Sequence, residues 1–259
     1  MKILITGAHS NIGYALGKKL ALKGHIVYAG VKTKEEEETL QQRLNQEKII
    51  MFPLIIDLLK ENNIASLDLD ALILQAGVGE GGSVLELSLE RLTTNIKINI
   101  LGNYSLLQAF IRDCYYKKKK GKVFITSSLA AFMPLPYLSS YTASKLYLYQ
   151  LAKTLRLELK YQKIPISVSL ILPGAYYTGF NDVMIDNKEK DTLILKEKAY
   201  KMTLYQKIFF KILEKDNYED LLNEIIYNIE RKRPAFIISR PLGQKLLIKL
   251  YIFLESLVV

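Results

Sequence analysis

Short apolar runs alternate with helical patterns from one end of the chain to the other. The runs that predict strands cover residues 3–6, 26–29, 49–56, 71–74, 123–126, 166–172 and 236–239. Helical patterns cover residues 12–23, 35–47, 88–116, 140–162, 217–231 and 243–256. Strands buried on both faces read as continuous apolar runs, and their alternation with helices is typical of a parallel sheet. We therefore predict an α/β fold, with a doubly wound, mostly parallel seven-stranded sheet and helices on both faces.

The composition is that of a protein with a buried core. Hydrophobic residues make up 49 % of the chain and the mean hydropathy is +0.09, which is too apolar for disorder. No internal repeat or linker interrupts the pattern, so we expect one domain over residues 1–259. The single cysteine, Cys114, cannot form an internal disulfide, which favours a reducing compartment such as the cytoplasm. No apolar run reaches the roughly 18 residues of a membrane-spanning helix, and no secretory signal is expected.

The chain is basic, with a formal net charge of +10. This charge has two interpretations: a lysine-rich, solvated surface, or an anionic partner such as a nucleotide phosphate, acidic lipid or nucleic acid. Zinc-ligand spacing and stacking-aromatic motifs are missing from the sequence, so we expect no nucleic-acid partner.

A glycine-bearing turn lies between the first predicted strand and its helix, over residues 6–13. Such a turn brings backbone N–H groups and a helix N-terminus close to a pyrophosphate. Glycine occupies only positions 7 and 13, and Asn11 stands where a third glycine could be. Asparagine tolerates left-handed backbone better than most residues. The alternative is a plain strand-to-helix turn.

The end of the second predicted strand indicates which cofactor would bind. An acid there holds a ribose 2′-hydroxyl, whereas a basic residue suits a 2′-phosphate. The first acid is Glu35, while Lys32 and Lys34 are near, which favours NADP over NAD unless both lysines are simply solvated. Asp57, at the end of the third strand, contacts the adenine or caps the following turn.

Polar and small residues follow the later strands, where active sites of such sheets lie. Gln75, Ala76 and Gly77 follow the fourth strand, Ser128 the fifth, and Pro173, Gly174 and Thr178 the sixth. Asn99 lies within a predicted helix, where asparagine is unfavourable. It is either an exposed polar residue or part of a distorted turn that organises an active-site water.

Tyr141 and Lys145 lie four residues apart in a predicted helix and so share one face. An ammonium group beside a phenol lowers the phenol pKa, and a phenol with a lowered pKa can donate a proton to a carbonyl that becomes an alcohol. An ordinary half-buried helix is the alternative explanation for this pair.

Taken in order, these motifs resemble the short-chain dehydrogenase/reductase family, in its single-domain branch. The turn resembles Thr-Gly-x-x-x-Gly-x-Gly, with Asn11 at the middle glycine. Gln75-Ala76-Gly77 resembles the end of Asn-Asn-Ala-Gly, with Leu74 and Gln75 replacing both asparagines. The segment 173–178 resembles Pro-Gly-x-x-x-Thr. Asn99, Ser128, Tyr141 and Lys145 match the four catalytic positions of the family in order and spacing.

The resemblance implies a Rossmann-type oxidoreductase that interconverts a carbonyl and an alcohol. Tyr141 would be the acid/base, Lys145 would lower its pKa and bind the ribose, and Ser128 would hold the substrate oxygen. Asn99 would relay protons through water. The resemblance also implies homodimers or homotetramers built on helices 88–116 and 140–162. The implied cofactor-binding residues are Gly7, Ser10, Asn11, Ile12, Gly13, Lys32, Asp57, Ala76, Gly77, Tyr141, Lys145, Pro173, Gly174 and Thr178.

Two apolar segments bear on specificity and partners. Residues 179–216 read as a substrate lid, whose apolar content indicates an apolar substrate or packing against the body. The tail 242–259 reads as an oily helix with Lys245 and Lys249 on one edge. It packs on the body, joins a neighbouring subunit or lies in a membrane interface. An alternative to the enzyme hypothesis is a nucleotide-binding regulator or scaffold with little turnover.

Overall fold

The computed structural model describes residues 1–9, 11–187 and 196–255. Within these residues, seven strands form one sheet in the order β3-β2-β1-β4-β5-β6-β7, and every neighbouring pair is parallel. The predicted α/β class and doubly wound sheet are therefore confirmed. The strands are β1 (Lys2–Thr6), β2 (Ile26–Val31), β3 (Phe52–Ile55), β4 (Ala71–Leu74), β5 (Gly121–Thr126), β6 (Ile166–Pro173) and β7 (Ile237–Arg240).

Helices cover both faces of this sheet. One apolar layer packs α1, α2 and α8 against it, and the other packs α4 and α5. Cys114 of α4 lies in the second layer and is 1 % exposed. No helix of the described residues is long and apolar enough to cross a membrane. The helices are α1 (Asn11–Leu22), α2 (Lys34–Glu47), α3 (Leu89–Ile96), α4 (Asn103–Tyr116), α5 (Ser139–Tyr161), α6 (Phe180–Asp186), α7 (Lys196–Leu213), α8 (Glu219–Glu230) and α9 (Leu242–Glu255).

The strand order reverses between β1 and β4, which are neighbours although β2 and β3 come between them in the chain. Loops on the two sides of such a switch point diverge and leave a crevice at the carboxyl ends of the strands. The crevice is where the glycine-bearing turn, the ends of β4 and β5, and the start of α5 come together.

The helix predicted over residues 88–116 is interrupted. Residues Lys97–Gly102 form a π-helical turn between α3 and α4. The Asn103 side-chain amide donates to the carbonyls of Ile98, at 3.1 Å, and Asn99, at 3.2 Å. A π turn changes the backbone hydrogen-bonding pattern and can leave carbonyls without a backbone donor. The Asn103 amide supplies a donor to two of them.

The segment predicted as a lid contains two helices, α6 and α7. Residues 188–195 between them lie outside the described residues, as do residues 256–259 of the predicted tail. Apolar side chains of α6 and α7 pack against the start of α5, in a small cluster that includes Tyr141, Met184 and Phe210. The lid is therefore in contact with the candidate catalytic residue.

Candidate active site

A cavity of about 380 Å³ opens at the carboxyl edge of the sheet, at the switch point. Every residue predicted to bind the cofactor lines it except Ser10, which is outside the described residues. The predicted residues in its wall are Gly7, Asn11, Ile12, Gly13, Lys32, Asp57, Ala76, Gly77, Ser128, Tyr141, Lys145, Pro173, Gly174 and Thr178.

The glycine-bearing turn leaves room for a ligand because its glycines have no side chains and its backbone can approach the ligand closely. Gly7 has φ +68°, in the left-handed region, and an added Cβ at Gly13 would collide with the Gly7 carbonyl oxygen. Asn11 also has a left-handed φ, of 50°, as expected for a residue standing in for glycine. Thr6 Oγ1 accepts from the N–H groups of Gln75 and Ala76, at 3.0 and 2.9 Å, which joins the ends of β1 and β4.

At one end of the cavity the Glu36 carboxylate lies next to Lys32, the residue predicted to contact the 2′-phosphate. The Lys32 N–H donates to Glu36 Oε2 at 2.7 Å, and His9 Nδ1 lies 3.8 Å from the same oxygen. Glu36 lines the cavity but is absent from the sequence prediction. A signal was available, because Thr33 and Glu36 have capping-box spacing and Thr33 Oγ1 accepts from the Glu36 N–H at 3.2 Å.

Asp57 caps the turn, which is one of its two predicted roles, and its contact with the adenine stays a prediction. Its Oδ1 accepts from the Leu59 N–H at 3.0 Å, which caps the turn after β3, and the residue also lines the cavity.

Ser128, Tyr141 and Lys145 converge at the other end of the cavity. Ser128 and Tyr141 line the same part of the cavity, and Lys145 Nζ lies 5.8 Å from the centre of the Tyr141 ring. Lys145 Nζ also donates to the Thr126 carbonyl at 3.3 Å. Ser127 Oγ donates to the Lys145 carbonyl at 2.6 Å, which ties the end of β5 to α5. The arrangement offers a phenol, a hydroxyl and an amine to one small region.

Asn99 is fully buried and connects the loop after β4 to α5. Its Oδ1 accepts from the Val78 N–H at 2.8 Å, and its Nδ2 donates to the Val78 carbonyl at 2.9 Å and to Ser144 Oγ at 3.1 Å. A Cβ added at Gly77 would lie 3.0 Å from Asn99 Oδ1 and 3.2 Å from Lys145 Nζ. Asn99 thus lies in a distorted turn, rather than at an exposed position.

Burial dominates the electrostatics of the two titratable groups. It raises the pKa of Tyr141 to about 12, although the neighbouring Ser128 hydroxyl acts in the opposite direction. Burial lowers the pKa of Lys145 to about 8. The expectation that Lys145 brings the Tyr141 pKa below its usual value is therefore wrong for this structure, because desolvation of the phenolate outweighs the other effects.

A second cavity, of about 300 Å³, adjoins the first and shares Ser128, Tyr141 and Asn181 with it. Apolar side chains make up most of its wall. Phe180 lines the first cavity, and its ring centre lies 5.8 Å from that of Tyr141. Sequence reasoning did not predict that α9 lines this cavity. The apolar wall includes Leu129, Met133, Leu135, Met184, Phe209, Phe210, Leu213, Leu247 and Ile248.

Comparison with known proteins identifies the family. Residues 1–189 match the family described as short chain dehydrogenase. The chain belongs to this family. The predicted resemblance is confirmed, and with it the prediction of an NAD(P)-dependent oxidoreductase.

Two curated relatives of this short-chain dehydrogenase carry informative names. One is a 3-ketodihydrosphingosine reductase of Bacteroides thetaiotaomicron, 28 % identical over 90 % of this chain and 85 % of the relative. Another is an NADPH-dependent 1-acyldihydroxyacetone phosphate reductase of Saccharomyces cerevisiae, 29 % identical over 69 % of this chain and 62 % of the relative.

Solved structures show the same fold at lower identity. A short-chain dehydrogenase/reductase from Burkholderia phymatum, in complex with NAD, has a TM-score of 0.80 at 19 % identity and covers 96 % of this chain and 91 % of its own. One from Burkholderia cenocepacia, in complex with NADP, has a TM-score of 0.71 at 21 % identity, with 99 % and 94 % covered.

The residues of this short-chain dehydrogenase fit a dinucleotide. An added Cβ at Gly7 or Gly13 would press on the backbone of Ala76 or Gly7, so glycine at both positions lets this turn fold tightly at the cavity, where α1 begins with the N–H groups of its first turn. The missing side chain at Gly77 leaves space next to Lys145 Nζ, because a Cβ there would lie 3.2 Å from that nitrogen. The cavity thus has a glycine-lined end that fits a pyrophosphate and an end that carries the side chains of Ser128, Tyr141 and Lys145.

Proposed function

We propose that this enzyme reduces the carbonyl group of a substrate with a long apolar part, with NADPH as the cofactor. The observation that carries the proposal is the apolar cavity that shares Ser128 and Tyr141 with the cofactor cleft. One curated relative is named as the reductase of a keto compound and the other as the reductase of an acyl compound. Both names support the same substrate class.

The proposed chemistry divides between cofactor and protein. Bound NADPH supplies a hydride to the carbonyl carbon. Tyr141 Oη donates a proton to the carbonyl oxygen, and the alcohol results. A pKa of about 12 keeps this phenol protonated at neutral pH, which suits the reducing direction. Ser128 donates a hydrogen bond to the developing oxyanion.

Lys145 and Asn99 complete the proposal. Lys145 binds the ribose and, through water at the Asn99 backbone, returns a proton to Tyr141 after each turnover. Asn99 holds the loop after β4 against α5, as its bonds to Val78 and Ser144 support. Neither residue touches the carbonyl carbon.

Tyr141→Phe tests the chemical role directly. We expect the variant to bind NADPH with unchanged affinity, in a fluorescence titration, and to lose at least about a hundredfold in kcat on a panel of long-chain ketones. Tyr149→Phe, on the same helix, is the matched control and should retain wild-type kcat. Equal turnover by Tyr141→Phe and wild type would overturn the assignment.

The preference for NADPH rests on Lys32, and Glu36 opposes it. A carboxylate next to a 2′-phosphate is repulsive, whereas an ammonium attracts it. We therefore expect Lys32→Ala to raise KM for NADPH with little change for NADH, and Glu36→Gln to lower KM for NADPH. If Lys32→Ala keeps the wild-type ratio of the two KM values, the proposed cofactor preference is wrong.

Assembly into homodimers or homotetramers through α3, α4 and α5 is also a proposal. Exposed aromatic and aliphatic side chains on these helices support it, because burial in an interface would remove them from water. Light scattering would measure the molar mass. The exposed residues include Tyr104, Leu146, Tyr147 and Leu157.

A further inference from the structure

Helix α7 carries an apolar stripe on the side that faces away from the protein. Thr203, Gln206 and Phe210 are buried on its inner side. The residues of the stripe recur at spacings of one, three and four residues, so they share the outer side. They are 40 % to 77 % exposed: Tyr200, Leu204, Tyr205, Ile208, Phe209 and Ile212.

Helix α9 carries a second stripe of the same kind. Leu242, Leu246 and Leu250 follow one another at four-residue spacing, and Leu247 lies beside them. These four leucines are 53 % to 70 % exposed. We call the outer stripes of both helices together the α7–α9 surface.

The two stripes are joined to each other and to the substrate cavity. Gln244 Nε2 donates to the Leu213 carbonyl at 2.6 Å, which holds α9 against the end of α7. Ile212, Leu242 and Leu247 line a shallow groove between the helices. Phe209 and Leu247 also line the apolar cavity that contains Ser128 and Tyr141. The cavity therefore reaches the α7–α9 surface between these two side chains.

The charges on these helices are mostly positive. The sequence of α7 contains five lysines and one glutamate, and that of α9 contains two lysines and one glutamate. Lys201, Lys211 and Lys249 are exposed. Apolar residues bordered by lysines are typical of helices that lie in the interface of an anionic bilayer. A symmetric dimer through this surface would instead bring two positively charged surfaces together.

We propose that the α7–α9 surface binds an anionic lipid bilayer, and that the apolar substrate enters the cavity between Phe209 and Leu247 directly from that bilayer. The nature of the substrate rests on the proposed function, whereas binding of the bilayer rests on the exposed residues alone. A long-chain ketone would then reach Tyr141 without crossing water, where its exposure is costly.

Vesicle flotation tests the binding step without any turnover. The full chain is mixed with phosphatidylcholine vesicles that contain or lack phosphatidylglycerol, and floated through a density gradient. We expect the wild type to float with the anionic vesicles, less so with the neutral ones, and less at high salt because salt screens the lysines. A wild type that stays at the bottom of the gradient with anionic vesicles overturns the proposal.

A matched pair of variants locates the surface. Leu246→Glu with Leu250→Glu puts two charges into the stripe and should reduce binding at least about tenfold, because each leucine loses its burial in lipid. Leu22→Glu with Ile50→Glu is the control, since these residues are similarly exposed but lie on α1 and in the loop before β3. Equal flotation of both variants would show that a different surface binds.

Activity assays then separate this proposal from the proposed function. With a short, water-soluble ketone, the α9 variant should match the wild type; with a long-chain ketone in vesicles, it should be slower. Flotation without any reductase activity would contradict the proposed function but support the proposal that the α7–α9 surface binds a bilayer. Turnover without flotation, together with a dimer that the α9 variant dissociates, would show that a second copy covers this surface.

Discussion

Lys145 shows how a buried residue makes stability depend on pH. The residue is 5 % exposed, and burial lowers its pKa to about 8. The unfolded chain keeps this proton up to a pH of about 10.4. Between these pH values the unfolded state binds more protons, so the free energy of unfolding rises with pH. Tyr141, with a pKa raised to about 12, acts in the opposite direction only above a pH of about 10.

Replacing Lys145 with Met should remove this dependence. At pH 7 the variant avoids the cost of a buried ammonium and should be more stable than the wild type. That advantage should shrink by about 2 to 3 kcal/mol between pH 8 and pH 10, at ~1.4 kcal/mol per pH unit. Urea unfolding at several pH values measures it. Lys153→Met, an exposed position on α5, is the control, and identical pH profiles for both variants would contradict the argument.

At the scale of single elements, the π turn positions the active site. Asn103 is 1 % exposed, and its amide donates to the carbonyls of Ala76, Ile98 and Asn99. It therefore joins the loop after β4 to the irregular part of the helix. π turns are frequent at functional sites, and here the turn presents the Asn99 side chain to Val78 and Ser144.

Asn103→Leu should loosen this connection. The variant leaves buried carbonyls without a donor, at a cost of about 1 to 3 kcal/mol in the free energy of unfolding. We also expect a lower kcat, because the Asn99 backbone loses its support. Denaturant unfolding and steady-state kinetics measure both effects. Asn45→Leu, an exposed position on α2, should change neither by a measurable amount, and a silent Asn103→Leu would disprove the role of the turn.

For the molecule as a whole, the cofactor cleft lies across the middle of the sheet. Its walls come from β2, β5, β6, α1 and α5 and from the loops after β1 and β4, so elements from both halves of the chain contribute. A ligand that contacts both halves stabilises them together. This arrangement supports the prediction that residues 1–259 form one domain. The single domain stays a prediction.

Thermal unfolding should therefore be a single transition. The chain has 17 tyrosines and no tryptophan, so near-ultraviolet circular dichroism reports tyrosine packing, and the far-ultraviolet signal reports the backbone. We expect the two signals to share one midpoint, and a hundredfold excess of NADPH over its Kd to add about 2.7 kcal/mol. If the two signals have separate midpoint temperatures and NADPH raises only one of them, the chain consists of two units that unfold independently.

Sequence patterns predicted the elements whose structure depends on residues that are near one another in the chain. β4 is an unbroken apolar run because both of its faces are buried, and its predicted bounds are those observed. The π turn was predicted only as one of two alternatives at Asn99, because contacts distant in sequence, such as that of Asn103 with Ala76, help to fix it. Gln244 was missed as a site residue because tertiary packing brings α9 to the substrate cavity. Glu36 was missed although its capping-box spacing with Thr33 is a local signal.

The buried position of Cys114 has a practical consequence. Burial raises the pKa of its thiol to about 11, and the side chain lies against Phe110 and Gly121 in the apolar layer beneath the sheet. Maleimide dyes react with accessible thiolates, so the native protein should label slowly at neutral pH. A cysteine placed at Leu246 could then carry an environment-sensitive fluorophore without prior removal of the natural thiol. Such a probe would report, in real time, whether that side chain leaves water.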